Sequence, residues 1–159
     1  MDLSQYFTSS DIAGITPEII LTLTALVVLT LEMARVFRPG IILLVAASGL
    51  VLAGTALVQG GNDDKILFGG MLYLNTFSMF FDFLYLFVGL LTLIFSQGYL
   101  EKMGSETRGE YPALILFAVI GMMLMTRAND LVMVFLGLEL LSLSLYVLVG
   151  FLRHNLLSN

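Results

Sequence analysis

A single glutamate, Glu139, stands in the middle of the otherwise apolar run LVMVFLGLELLSLSLYVLVGF. It lies nine residues beyond Asp130. At 1.5 Å per residue that is roughly 13 Å along a helix, close to the centre of a hydrocarbon core about 30 Å thick. A side chain there does not reach water by snorkelling, and a charge at that depth costs on the order of 3 kcal/mol on insertion scales. Such a carboxylate ordinarily faces protein rather than lipid and marks an ion or proton path; the plainer reading is a protonated acid hydrogen-bonded to a neighbouring helix. Helical offsets of three, seven and fourteen from Glu139 reach Ser142, Tyr146 and Arg153, a polar stripe from mid-membrane to the helix end. Hydroxyls at this spacing can carry a water chain, or can serve simply as small packing groups.

Asp82 is the second acid well inside an apolar run. Its helical face collects Asn75, Ser78, Tyr85, Gly89, Thr92 and Ser96, a stripe that should point at other helices. Two readings stand for Asp82: a secondary proton site with Ser78 and Tyr85, or a structural acid paired with a cation on a helix outside this chain. Glu32, three residues before Arg35, suits an i,i+3 ion pair, and Glu18 suits the favourable field of a helix N-terminus. Both read as structural. The apolar runs contain no lysine, so an ionised Glu139 needs its cation from elsewhere.

The elements that must position these groups follow from composition. Of 159 residues, 58% are apolar and 12% charged, against roughly a quarter charged in a soluble domain. The fold class expected is an all-α polytopic membrane protein with five transmembrane helices over residues 16–37, 41–58, 75–97, 111–126 and 130–152. Thr16 reads as the N-cap of the first, with Pro17 at its first position. The Gly-rich QGGNDDK reads as a loop after the second. The whole of 1–159 reads as one membrane domain behind a short extramembrane N-terminus, 1–15. That terminus lacks the basic region and cleavage site of a signal peptide.

With five spans, Arg35, Arg38, Lys102, Arg108 and Arg153 share one side, and Lys65 and Arg127 the other. The richer side is expected to be cytoplasmic, which places the N-terminus outside and the C-terminus inside. The absence of cysteine excludes disulfides and thiolate metal or iron–sulfur sites, and one histidine cannot form an imidazole cluster. No cofactor is therefore expected on this chain. The formal charge of −5 is scattered rather than gathered into a tail, so no nucleic-acid partner is expected. Nine methionines and twelve phenylalanines read as lipid-facing and gap-filling groups.

The stretch from Gly109 to Phe151 resembles the antiporter-like membrane subunits of respiratory complex I, and most of all the subunit N family, known in mitochondria as ND-two. The resemblance is carried by GMMLM, by the ND opening the next helix and by GLELLSLSLYVL; the TPEI of the first span is also similar. It implies a proton-translocating module of NADH:quinone oxidoreductase, a translocase working only within its complex, with Glu139 at the position of the family's proton-transfer glutamate. The family pairs that glutamate with a lysine on a later, broken helix that has no counterpart here. The resemblance thus implies an N-terminal fragment, a truncated frame or one piece of a split subunit. The implied partners are other membrane-arm subunits, the rest of the same subunit and the lipid of a bacterial inner membrane. NADH, FMN, iron–sulfur clusters and quinone would belong to the parent complex. Family members often carry basic residues in the segment that here reads NTFSMFFD, Asn75 to Asp82, without one. Two alternatives share or set aside this ancestry: a subunit of a multisubunit cation/proton antiporter or membrane-bound hydrogenase, and a non-catalytic packing or assembly protein.

Overall fold

The computed structural model describes residues 9–34, 39–60, 64–102 and 110–151. A short helix α1, Ser9–Gly14, leads into α2, Thr16–Met33, followed by α3, Pro39–Gln59. A hairpin of β1, Lys65–Leu67, and β2, Leu72–Leu74, precedes α4, Thr76–Lys102, α5, Glu110–Arg127, and α6, Leu131–Phe151. Each of the five helices α2 to α6 is long and apolar enough to cross a membrane, as the hydropathy of the sequence predicts. The chain is an all-α multi-pass membrane protein.

The boundaries shift where local groups decide them. The N-cap position of α2 is Ile15 rather than Thr16, because the Thr16 hydroxyl donates back to the Ile12 carbonyl (3.0 Å) as α1 runs on into α2. Asn75 and Ser78 open α4 reciprocally: the Ser78 N–H donates to Asn75 Oδ1 (2.7 Å) and the Asn75 N–H to Ser78 Oγ (3.0 Å), the logic of a capping box. A hairpin follows the QGGNDDK loop, starting at Lys65, in a stretch to which the sequence alone assigns no element. Its register pairs Lys65 with Leu74 and Leu67 with Leu72. Strands of three residues are too short to display a period-two pattern. The turn between them takes Phe68, Gly69 and Gly70 to φ of 52°, 64° and 102°, and the two glycines make that path inexpensive.

Lipid is as apolar as leucine, so helices associate here by close packing rather than by escape from water. α5 is the hub, packing on α2, α3, α4 and α6. Its Leu116, Val119, Ile120 and Met123 meet Leu21, Ala25 and Val28 of α2, Ala46, Leu50 and Ala53 of α3, and Leu86 and Leu93 of α4 in one core. More than half of the α5 span, 56%, is buried, against 11% of α6, which leans chiefly on α5. The hairpin closes the end of the bundle where α2, α4 and α6 begin. Leu72 bridges to Ala128, the Asn129 N–H donates to Met71 O (2.9 Å), Asn129 Nδ2 donates to Gly70 O (2.8 Å), and the Phe68 N–H donates to Asp11 Oδ1 (3.2 Å).

Candidate functional site

Three helices bring charge to one buried point. Glu18 stands in the first turn of α2, Asp82 about two turns into α4, and Arg127 at the last residue of α5. All three are almost fully buried. Arg127 Nε donates to Asp82 Oδ2 at 2.8 Å, with Nη2 2.7 Å from the same oxygen. Arg127 Nη1 lies 2.5 Å from Glu18 Oε1 and donates to the Gly14 carbonyl at 3.0 Å. One guanidinium fork thus ties α1, α2 and α4 to α5, using the planar donor set that distinguishes arginine from lysine. Beside it the Tyr85 hydroxyl and Thr126 Oγ1 share a hydrogen bond of 3.0 Å, and Thr126 Oγ1 donates to Met122 O at 3.0 Å.

Asp82 therefore finds its cation within the chain, on α5, and not on a helix outside it. Ending the fourth span at residue 126 places Arg127 in a loop; the helix includes it and turns it inward. The stretch NTFSMFFD does lack a basic residue of its own, and α5 supplies one. Glu18 likewise does more than favour a helix dipole, since it takes the other arm of the same guanidinium. The short span offered the one available signal: residues 111–126 are few for a bilayer crossing, and extending them past Arg127 would have embedded its charge. The polar stripe of α4 faces inward at Ser78, Asp82, Gly89 and Ser96 as expected, but Thr92 is exposed and its hydroxyl donates to Val88 O (2.8 Å).

Glu139 lies elsewhere, on α6, and is exposed rather than enclosed by the described residues. The reason is the α5–α6 seam. A Cβ on Gly121 would stand 2.8 Å from Gly137 O, so these glycines hold the two backbones together. Glu139 follows Gly137 by two residues, about 200° around a helix of 3.6 residues per turn, and so points away from α5. It makes no hydrogen bond or ion pair with any described residue, and neither do the side chains of half-buried Ser142 and exposed Tyr146 on the same side. Ser144 is the hydroxyl of α6 that turns inward, donating to Leu140 O at 2.8 Å. Arg153, Arg35 and Arg38 lie outside the described residues, so the Glu32–Arg35 pair does too. The structure therefore joins Ser78, Asp82 and Tyr85 to one inner region and leaves Glu139, Ser142 and Tyr146 on an outer face of α6, which among the described residues packs chiefly on α5.

No protein-family model matches the chain. Curated relatives do. Subunit N of the NADH-quinone oxidoreductase of Trichlorobacter lovleyi is 36% identical over all of this chain and 33% of its own length. The corresponding subunit of Rhodospirillum rubrum is 40% identical over 89% of this chain and 30% of its own length. That of Chloroflexus aggregans is 42% identical over 71% of this chain and 23% of its own length. The chain spans about a third of the length of the curated relatives it matches.

Proposed function

We propose, from a chain homologous along its whole length to part of the NADH-quinone oxidoreductase subunit N family, that it acts in the membrane arm of such an oxidoreductase and moves protons. Glu139 is its proton-transfer carboxylate, and Ser142 and Tyr146 extend the path along the outer face of α6. Ser78, Asp82 and Tyr85 belong to a separate inner group. The parent complex sits in a bacterial inner membrane, with the N-terminal side of this chain outside. Its flavin, iron–sulfur and quinone chemistry is carried by other subunits.

The observation that carries this reading is the placement of Glu139. A carboxylate at the mid-membrane depth that helical rise predicts, on a face that the described residues leave uncovered, needs a cation and donors from a neighbouring segment. An acid whose counter-charge arrives on another element is suited to having its proton affinity changed when that element moves. Other membrane-arm subunits and further helices of the same subunit are the sources this reading requires.

In the assembled oxidoreductase, Glu139→Gln keeps shape and removes the titrating group. The protons moved per NADH oxidised should fall, while unfolding of the chain changes by less than about 0.5 kcal/mol, as for a side chain outside the packed core. Proton uptake by vesicles during NADH oxidation measures the first, and denaturant titration the second. An unchanged proton yield in a fully assembled complex overturns the role of Glu139.

A further inference from the structure

A cavity of about 200 Å³ runs from the hairpin end of the bundle to the buried ion cluster. At the hairpin end its lining includes the exposed Gln59 and Gly60 and the half-buried Lys65, whose Nζ donates to Gly60 O at 2.7 Å. Ala56 and the buried Ser78, Asp82 and Arg127 also line it. The volume is enough for several waters at the ~30 Å³ each occupies in the liquid, and the lining offers the polar partners that waters need. Asp82 Oδ2 is taken by Arg127, but Asp82 Oδ1, in a side chain only 1% exposed, has no donor among the described residues.

We propose that this cavity is a water-filled vestibule through which Asp82 exchanges a proton with the aqueous side that carries the hairpin. Charge balance is the reason the cluster holds one. Arginine stays protonated, so two ionised carboxylates around Arg127 leave an uncancelled negative charge, and a single proton removes it. The groups facing Asp82 are Arg127 from α5, Glu18 from α2 beyond the guanidinium, and Lys65 from β1 at the hairpin end. Asp11 of α1 accepts from the hairpin backbone. Asp82 faces the vestibule and Glu18 does not line it, so Asp82 is the member that meets water. This adds a second proton site to the function proposed above, on a different helix from Glu139 and independent of it.

The natural absence of cysteine makes the test direct. Ser78→Cys and, as a second reporter from α3, Ala56→Cys are introduced separately and treated in sealed membranes of both orientations with a charged, membrane-impermeant methanethiosulfonate. Both should label from the hairpin side alone. They should label ~tenfold or more faster than Ser96→Cys, which is buried on α4 outside the vestibule and is reached only through local opening. Carbodiimide treatment followed by peptide mass analysis reads the proton itself, because only a protonated carboxyl adds across the reagent. An adduct should form on Asp82, fall away as pH rises and vanish in Asp82→Asn. Cysteines that stay unlabelled in folded protein mean a dry cavity, and an Asp82 unmodified at every pH means a permanently ionised pair. Either result overturns the proposal, and neither readout depends on Glu139.

Discussion

Replacing Arg127 with Met should lower the unfolding free energy of the chain by about 3–5 kcal/mol, the usual cost of stripping one partner from a buried ion pair. The residue is 1% exposed, and its side chain holds Asp82 through two nitrogens and Glu18 and the Gly14 carbonyl through a third. Its loss leaves two acids facing each other across an uncharged thioether chain, so either they stay ionised and repel or they must take up protons. The cost comes from the stranded carboxylates more than from the lost bonds. The triple variant Arg127→Met, Glu18→Gln, Asp82→Asn should therefore recover most of the stability. Arg127→Lys should fall between, since it keeps the charge but cannot bridge both acids and the carbonyl with one planar fork. Helical signal followed through denaturant titration in lipid nanodiscs ranks the four proteins. A single variant as stable as the parent, or a triple variant no better than the single, contradicts this account.

The second large effect is steric. At Gly121 an added Cβ would lie 2.8 Å from Gly137 O and 2.8 Å from Leu141 N; at Gly137 it would lie 2.8 Å from Met125 Cγ and 3.0 Å from Gly121 O. Most of these neighbours are backbone atoms, which cannot rotate aside, so only separation of α5 from α6 relieves the overlap. Gly121→Val is expected to cost about 3 kcal/mol, the upper end of the range for overpacking. Because α6 leans chiefly on α5, the damage should appear as detachment of α6 and new protease sensitivity in the α5–α6 link. Gly150→Val near the end of α6 is the control, since a Cβ there meets nothing within 4 Å, and it should be nearly neutral. Equal loss in both variants would mean that helix propensity rather than the seam is being measured.

These two contrasts also show which parts of the molecule were legible before folding. Five helices long and apolar enough to cross a membrane could be read from the apolar runs because each is a local property: in lipid every backbone polar group must be satisfied within its own helix. The inward polar stripe of α4 was legible for a similar reason, as 3.6-residue periodicity places Ser78, Asp82 and Tyr85 on one side whatever they meet. The hairpin was not, because its strands are three residues long and its pairing is sealed by Asn129 and Ala128 from far along the chain.

The ion cluster belongs to the same illegible class. Arg127 joins an acid 45 residues before it and a carbonyl 113 residues before it, and no pattern in either segment names the other. The face that α6 turns to α5 was equally hidden, since apolar residues fill every side of the helix but the Glu139 stripe and do not single out a contact face until its glycines find a neighbour. The sequence alone showed five helices among the described residues that are long and apolar enough to cross a membrane, and it set the expectation that Glu139 sits at mid-depth, since composition and helical rise are local properties. Tertiary packing decided that Asp82 is paired with Arg127 from within while Glu139 faces outward, because charge pairing and close backbone approach depend on which helices meet.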